Sequence, residues 1–78
     1  MNAGAGPRDR SLELAHDRYQ AAQAAFLALP TRQTGNSYRE RAFVFWKRLN
    51  GSSAGWEAEE RRLDRAIDRA IAAAEEGR

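Results

Sequence analysis

The sequence predicts an all-α fold, a small three-helix bundle with a flexible N-terminal arm. Two long segments carry apolar residues at intervals of three and four, which places those residues on one face of a helix. A third segment between them is flanked by residues that begin and end helices. At 78 residues the chain has room for one small core, so packing the three helices together is the simplest architecture.

The N-terminal residues differ in composition from the rest of the chain. The first ten contain two Gly, Pro7 and small or charged residues, and Met1 is their only large apolar side chain. Such a segment has little apolar surface with which to pack on a core. We therefore expect residues 1–8 to form a flexible arm and residues 9–78 to form a single helical domain.

The first predicted helix covers residues 9–29 and has the strongest periodicity in the chain. Its inward positions follow each other at spacings of 3, 4, 3, 4 and 3, at Leu12, Ala15, Tyr19, Ala22, Phe26 and Leu29. Asp9 or Ser11 would cap its start by accepting a hydrogen bond from a free N–H. Pro30 would end it, because proline disfavours the α conformation in the residue before it.

The second predicted helix follows a polar turn, TRQTGN, over residues 31–36. Ser37 and Glu40 fit a capping box, and Asn50 with Gly51 would end the helix. The AFVFW segment also has the composition of a buried strand, but the flanking caps favour a helix. The expected core face of this helix contains Tyr38, Ala42, Phe45, Trp46 and Leu49.

The third predicted helix begins after Ser52 or Ser53 and runs to about Glu76. Glu57 with Arg61, and Glu59 with Arg62, are spaced to form weak ion pairs on an exposed face. The expected inward positions are Trp56, Leu63, Ile67, Ala70, Ile71 and Ala74.

Charge is unevenly distributed along the chain. The formal net charge is +2, but residues 30–51 contain five cationic side chains and one carboxylate. A locally positive field of this kind favours anionic partners, and salt weakens it. The central helix is therefore the first place to look for a binding surface.

Catalytic, cofactor and metal sites are not expected. Cysteine is absent, and His16, the single histidine, has only Asp17 beside it, about 100° away on a helix. Glu60, Asp64 and Asp68 share a helix face, but several Arg lie close to them in sequence and no second helix supplies the remaining ligands. We expect a charge-paired surface there, and a protein that is not an enzyme.

The chain has no apolar segment of the length that a membrane helix or a secretory signal requires. We therefore expect a soluble protein of the cytoplasm that has no membrane partner.

Six residues of the second helix are the candidate partner-binding set. They combine cations with two apolar residues that lie off the expected core face, and they are Arg39, Arg41, Phe43, Val44, Lys47 and Arg48. Arg and aromatic residues are enriched in the energetically important parts of protein interfaces. A protein partner is the first hypothesis. The alternatives are a nucleic acid, whose phosphates the cations would contact, a homodimer that buries the same groups, and a structural role in which Phe43 covers an edge of Trp46.

In its length, its single domain and its lack of catalytic groups, the chain resembles the small accessory proteins of phages and other mobile elements, among them anti-CRISPR inhibitors. That resemblance implies a non-catalytic protein that regulates or blocks a larger protein or nucleoprotein complex by occupying its surface.

Overall fold

Three α-helices form the part of the chain that the computed structural model describes, which is the backbone of residues 5–77 and the side chains of residues 10–77. Helix α1 spans Ala5–Ala28, α2 spans Arg32–Asn50 and α3 spans Trp56–Glu76. The predicted all-α bundle is confirmed. None of these described helices is long and apolar enough to cross a membrane.

The predicted N-terminal arm is only partly described. Residues 1–4 of the predicted arm lie outside the described residues, and the backbone of residues 5–8 forms the start of α1. The sequence predicts a cap at Asp9 or Ser11. Because α1 begins at Ala5, neither residue caps its start. Pro7 fits within the first turn of a helix, where backbone N–H groups have no partner inside the helix.

Helices α1 and α2 pack antiparallel. Arg48, near the end of α2, donates from Nη1 to Oγ of Ser11, near the start of α1, over 2.6 Å. At the other end of the pair, Nε2 of Gln23 donates to the hydroxyl of Tyr38 over 3.0 Å. Aromatic rings fill the space between these two contacts, and the ring of Tyr19 stacks on that of Phe45 with 5.3 Å between centroids.

Helix α3 packs antiparallel to α2. Trp56, its first residue, lies against the C-terminal half of α2, and its ring centroid is 6.0 Å from that of Trp46. The indole N–H of Trp46 also donates to the carbonyl of Ala54 over 3.0 Å, which holds the α2–α3 connection against the helix. Gly51 ends α2 in the left-handed conformation, as predicted, with φ of 76°.

The core lies where all three helices meet. Its buried residues are Phe26 from α1, Tyr38 from α2 and both Ile67 and Ile71 from α3. Partly buried apolar residues surround them, and these are Tyr19, Ala22, Leu63 and Ala70. All eight were expected to face inward. Burial, with the neighbouring Tyr38 and Glu59, raises the pKa of Tyr19 above its ordinary value.

The start of α2 differs from the prediction. Thr31 and Thr34 form the capping box, since Oγ1 of Thr31 accepts from the backbone N–H of Thr34 and the backbone N–H of Thr31 donates to Oγ1 of Thr34. Thr34 Oγ1 also donates to the carbonyl of Leu29 over 2.7 Å. The segment expected to be a turn is thus the first part of the helix, and Ser37 with Glu40 lies inside it.

Gly35 lies in this first part of α2. Glycine in a polar turn often has a positive φ, but Gly35 is a buried helical residue that allows close packing. A Cβ on Gly35 would lie 2.7 Å from Cγ2 of Ile67 and 3.4 Å from Cε1 of Phe26. The missing side chain therefore lets residues of α1 and α3 approach the backbone of α2 at the same point.

Two residues expected in the core are exposed. Leu29 is 58 % exposed because α1 ends at Ala28 and the chain leaves the bundle there. Leu49 is 56 % exposed because it lies in the last turn of α2, just before the chain turns away at Gly51. The spacing of apolar residues predicted the core correctly in the middle of each helix and failed at these two ends.

Substituting Gly35→Ala should destabilise the fold. The new methyl group would overlap Ile67, which is only 1 % exposed and has no room to move, so we expect a loss of about 1–3 kcal/mol in the free energy of unfolding. Urea unfolding followed by circular dichroism measures it. Gly77→Ala is the matched control, because its Cβ would meet nothing closer than 3.6 Å. A Gly35→Ala protein as stable as the wild type would contradict the packing described.

Candidate interaction surface

The six candidate residues of α2 lie on two edges of the helix. Arg39, Phe43 and Lys47 follow each other at intervals of four, and Arg41, Val44 and Arg48 follow at intervals of three and four. At 100° per residue the centres of the two groups are separated by roughly 130° around the helix. Arg39 and Phe43 of the first group lie on the α3 side of α2, and the second group lies on the side of the N-terminal half of α1.

The α3 side of α2 is occupied by contacts within the protein. Nη1 of Arg39 donates to Oδ1 of Asp64 over 2.8 Å, and its Nη2 donates to Oδ1 of Asn36 over 3.0 Å. The ring of Phe43 packs on that of Trp56, with centroids 5.1 Å apart. These contacts hold α3 against α2, so Arg39 and Phe43 already have structural partners.

The opposite edge of α2 meets α1 in a surface depression. Arg41, Val44 and Arg48 line a cleft of about 70 Å³, and α1 contributes Ser11, Leu14, Ala15 and Arg18. This volume is far below the ~300–1,000 Å³ of typical small-molecule sites, so the cleft has the size for a side chain and not for a cofactor. We call the set Leu14, Arg18, Arg41, Val44 and Arg48 the basic apolar face.

The guanidinium groups of the basic apolar face form no ion pair with a described carboxylate, although Asp17 and Glu40 lie about one turn from Leu14 and Val44 on their helices. Among side chains 10–77, the ion pairs join Arg32 to Asp68, Arg39 to Asp64 and Arg62 to Glu59, and none involves an Arg of this face. At its centre Leu14 is 48 % and Val44 is 41 % exposed. Three guanidinium groups therefore surround two aliphatic side chains in contact with solvent.

Lys47 lies between the two edges of α2. Its Nζ is 5.0 Å from the centroid of the Phe43 ring, a cation–π distance. It also lines an open hollow with Val44 and Arg48, which continues the basic apolar face along α2. Lys47 therefore adds a fourth cation at the rim of this face.

Leu14 and Arg18 were not among the sequence candidates. They lie four residues apart on α1, on a side that the inward stripe of Leu12, Ala15 and Tyr19 does not include. This spacing indicates that they neighbour each other on the helix. It does not indicate which edge of α2 they adjoin. A surface formed by two helices therefore could not be predicted from the spacing of residues within one helix.

A larger groove lies at the junction of α2 and α3. Its volume is about 700 Å³, and it is wide and open to solvent along Phe43, Trp56, Glu57, Glu60 and Arg61. Its charged side chains are of both signs, and its two aromatic rings pack on each other. The groove thus lacks the single sign of charge that distinguishes the basic apolar face.

The titratable residues considered from sequence lie in structural contacts. His16 packs on Phe45 with 5.0 Å between ring centroids. Asp64 and Asp68 each pair with an Arg of α2, although the sequence suggested partners on their own helix. In the described part of the chain, no group of three or more His, Asp or Glu side chains is arranged to hold a metal ion.

Comparison of the chain with protein-family models, with curated proteins and with solved structures finds no match. The choice of a candidate surface therefore depends on the residues and contacts of this chain.

The two edges of α2 should respond differently to truncation. Phe43→Ala removes a half-buried ring from Trp56 and should cost about 2 kcal/mol, roughly half the cost of a Phe→Ala change in a full core. Val44→Ala, at an exposed position, should cost less than about 1 kcal/mol. Thermal and urea unfolding of the two variants measure both effects. Equal losses would mean that the two edges contribute alike to the fold.

Proposed function

We propose that this chain is a small, non-catalytic helical protein of the cytoplasm that binds a larger macromolecular complex and regulates or blocks it. The basic apolar face is its contact surface. The partner is a protein. The chain would act as the small accessory proteins of phages and mobile elements do, by occupying a surface of the partner without catalysing a reaction.

One observation carries this proposal. Arg18, Arg41 and Arg48 surround the exposed Leu14 and Val44 without an ion pair to any described carboxylate. Arg at the edge of an apolar centre is a composition typical of protein interfaces, where the apolar groups exclude water and the guanidinium groups select the partner.

Nucleic acid is the second candidate partner, because guanidinium groups also bind phosphates. A single strand would require exposed rings on which its bases stack. Phe43, the aromatic residue of the candidate set, is half-buried on Trp56, and the exposed apolar residues of the face are aliphatic. These contacts favour a protein partner.

Affinity purification of the tagged chain from its native host tests the proposal. The wild-type chain should recover a defined complex, and Arg41→Glu should lower its recovery about tenfold or more, because it reverses one of the three charges around the apolar centre of the face. Arg69→Glu makes the same charge change at an exposed residue of α3 and should leave recovery unchanged.

Circular dichroism of both variants controls for folding. If a defined complex is recovered equally with Arg41→Glu and with the wild type, the basic apolar face is not the contact surface. If Arg69→Glu loses the complex and Arg41→Glu retains it, the contact surface lies on α3.

A further inference from the structure

We infer that the basic apolar face binds an acidic amphipathic segment of another protein, one that places carboxylates around a single aliphatic side chain. This inference rests on the proposed function and specifies the chemistry of the partner.

The charges of the face define the polar part of the partner. Arg18, Arg41 and Arg48 line one cleft, and the guanidinium fork of Arg matches a carboxylate with two parallel hydrogen bonds. Arg48 already donates to Ser11, so its position is held by a contact within the chain. Three cations around one cleft are complementary to a segment that carries about three carboxylates at similar spacing.

The centre of the face defines the apolar part of the partner. Leu14 and Val44 border the cleft of about 70 Å³, and the methyl group of Ala15 lines it. An aliphatic side chain of the partner would cover these groups and remove them from water. A phosphate backbone has no group that does so, and a nucleobase would find no exposed ring on this face for stacking.

The paired carboxylates of α3 lie away from the face. The carboxylates that pair with α2, Asp64 and Asp68, bind Arg39 and Arg32. Because Arg41, Val44 and Arg48 lie on the edge of α2 that is turned from α3, the acidic side of α3 does not neutralise them. Carboxylates of a partner would pair with these guanidinium groups, and an amphipathic helix presents carboxylates beside a Leu.

Fluorescence anisotropy with a designed probe tests the inference. The probe is a labelled helical peptide of about 18 residues, long enough to hold a helix, with one Leu and three Glu on one face. A second peptide has the same composition, with its Glu on the face opposite the Leu. The full chain should bind the first peptide at least about tenfold more tightly than the second, and raising the salt concentration should weaken this binding.

Variants identify the surface that binds the probe. Arg41→Glu should weaken binding of the first peptide about tenfold or more, and Arg69→Glu should not change it. Equal binding of the two peptides, or no binding of either, would overturn the inference. So would tighter binding of a labelled oligothymidine that Arg41→Glu abolishes, because the face would then select phosphates. Light scattering that detects a dimer lost in Arg41→Glu would identify the occupant as a second copy.

Failure of the inference is distinguishable from failure of the proposed function. If Arg41→Glu loses the host complex but the peptides do not discriminate, the face is a contact surface whose partner is not of this chemistry. If the host complex is independent of Arg41, the proposed function fails, and the inference fails with it.

Discussion

The arrangement of this protein depends on the contact that Phe26 and Ile67 make with the backbone of Gly35. At this point the absent side chain lets α1 and α3 reach α2 together, and a methyl group would overlap Cγ2 of Ile67. The contact constrains the rotation of α2 about its own axis. In the observed rotation, Arg39 and Phe43 lie beside α3, and Arg41 and Val44 lie beside α1.

That rotation divides the charged residues of α2 between two roles. Arg39 on the α3 edge pairs with Asp64, so its charge contributes to holding the third helix. Arg41 and Arg48 on the other edge join Arg18 around Leu14 and Val44 and have no described carboxylate as partner. Like charges in one cleft oppose folding, and a small core has little stability to spare. A partner that supplies carboxylates would relieve the repulsion among these three guanidinium groups.

The sequence predicted the fold well and the start of α2 poorly. The spacing of three and four places Phe26, Ile67 and Ile71 inward, and the buried core contains them. Two possible capping boxes begin six residues apart. Ser37 with Glu40 matches the usual motif, a Ser or Thr followed three residues later by Glu or Gln, but Thr31 with Thr34 is the pair that caps α2. A glycine in the sequence is compatible with a turn and with a close contact between helices. Only the tertiary structure shows that Gly35 has the second role.

About half of the candidate surface could be predicted. Arg41, Val44 and Arg48 stand out because they share one helix with an excess of positive charge. Leu14 and Arg18 could not be predicted as part of the surface, because this depends on which edge of α2 lies beside them. Likewise, Phe43 lies off the core face of α2 when that helix is considered alone, and only the position of Trp56 shows that the ring is packed.

Chemical modification of arginines measures whether a partner covers the basic apolar face. Phenylglyoxal would be applied to the free chain and to its purified complex, and each modified Arg would be quantified by mass spectrometry. Arg18, Arg41 and Arg48 should react in the free chain and become protected in the complex, whereas Arg65 and Arg69 on α3 should react equally in both. Protection of the α3 residues, with the basic apolar face still reactive, would contradict the account.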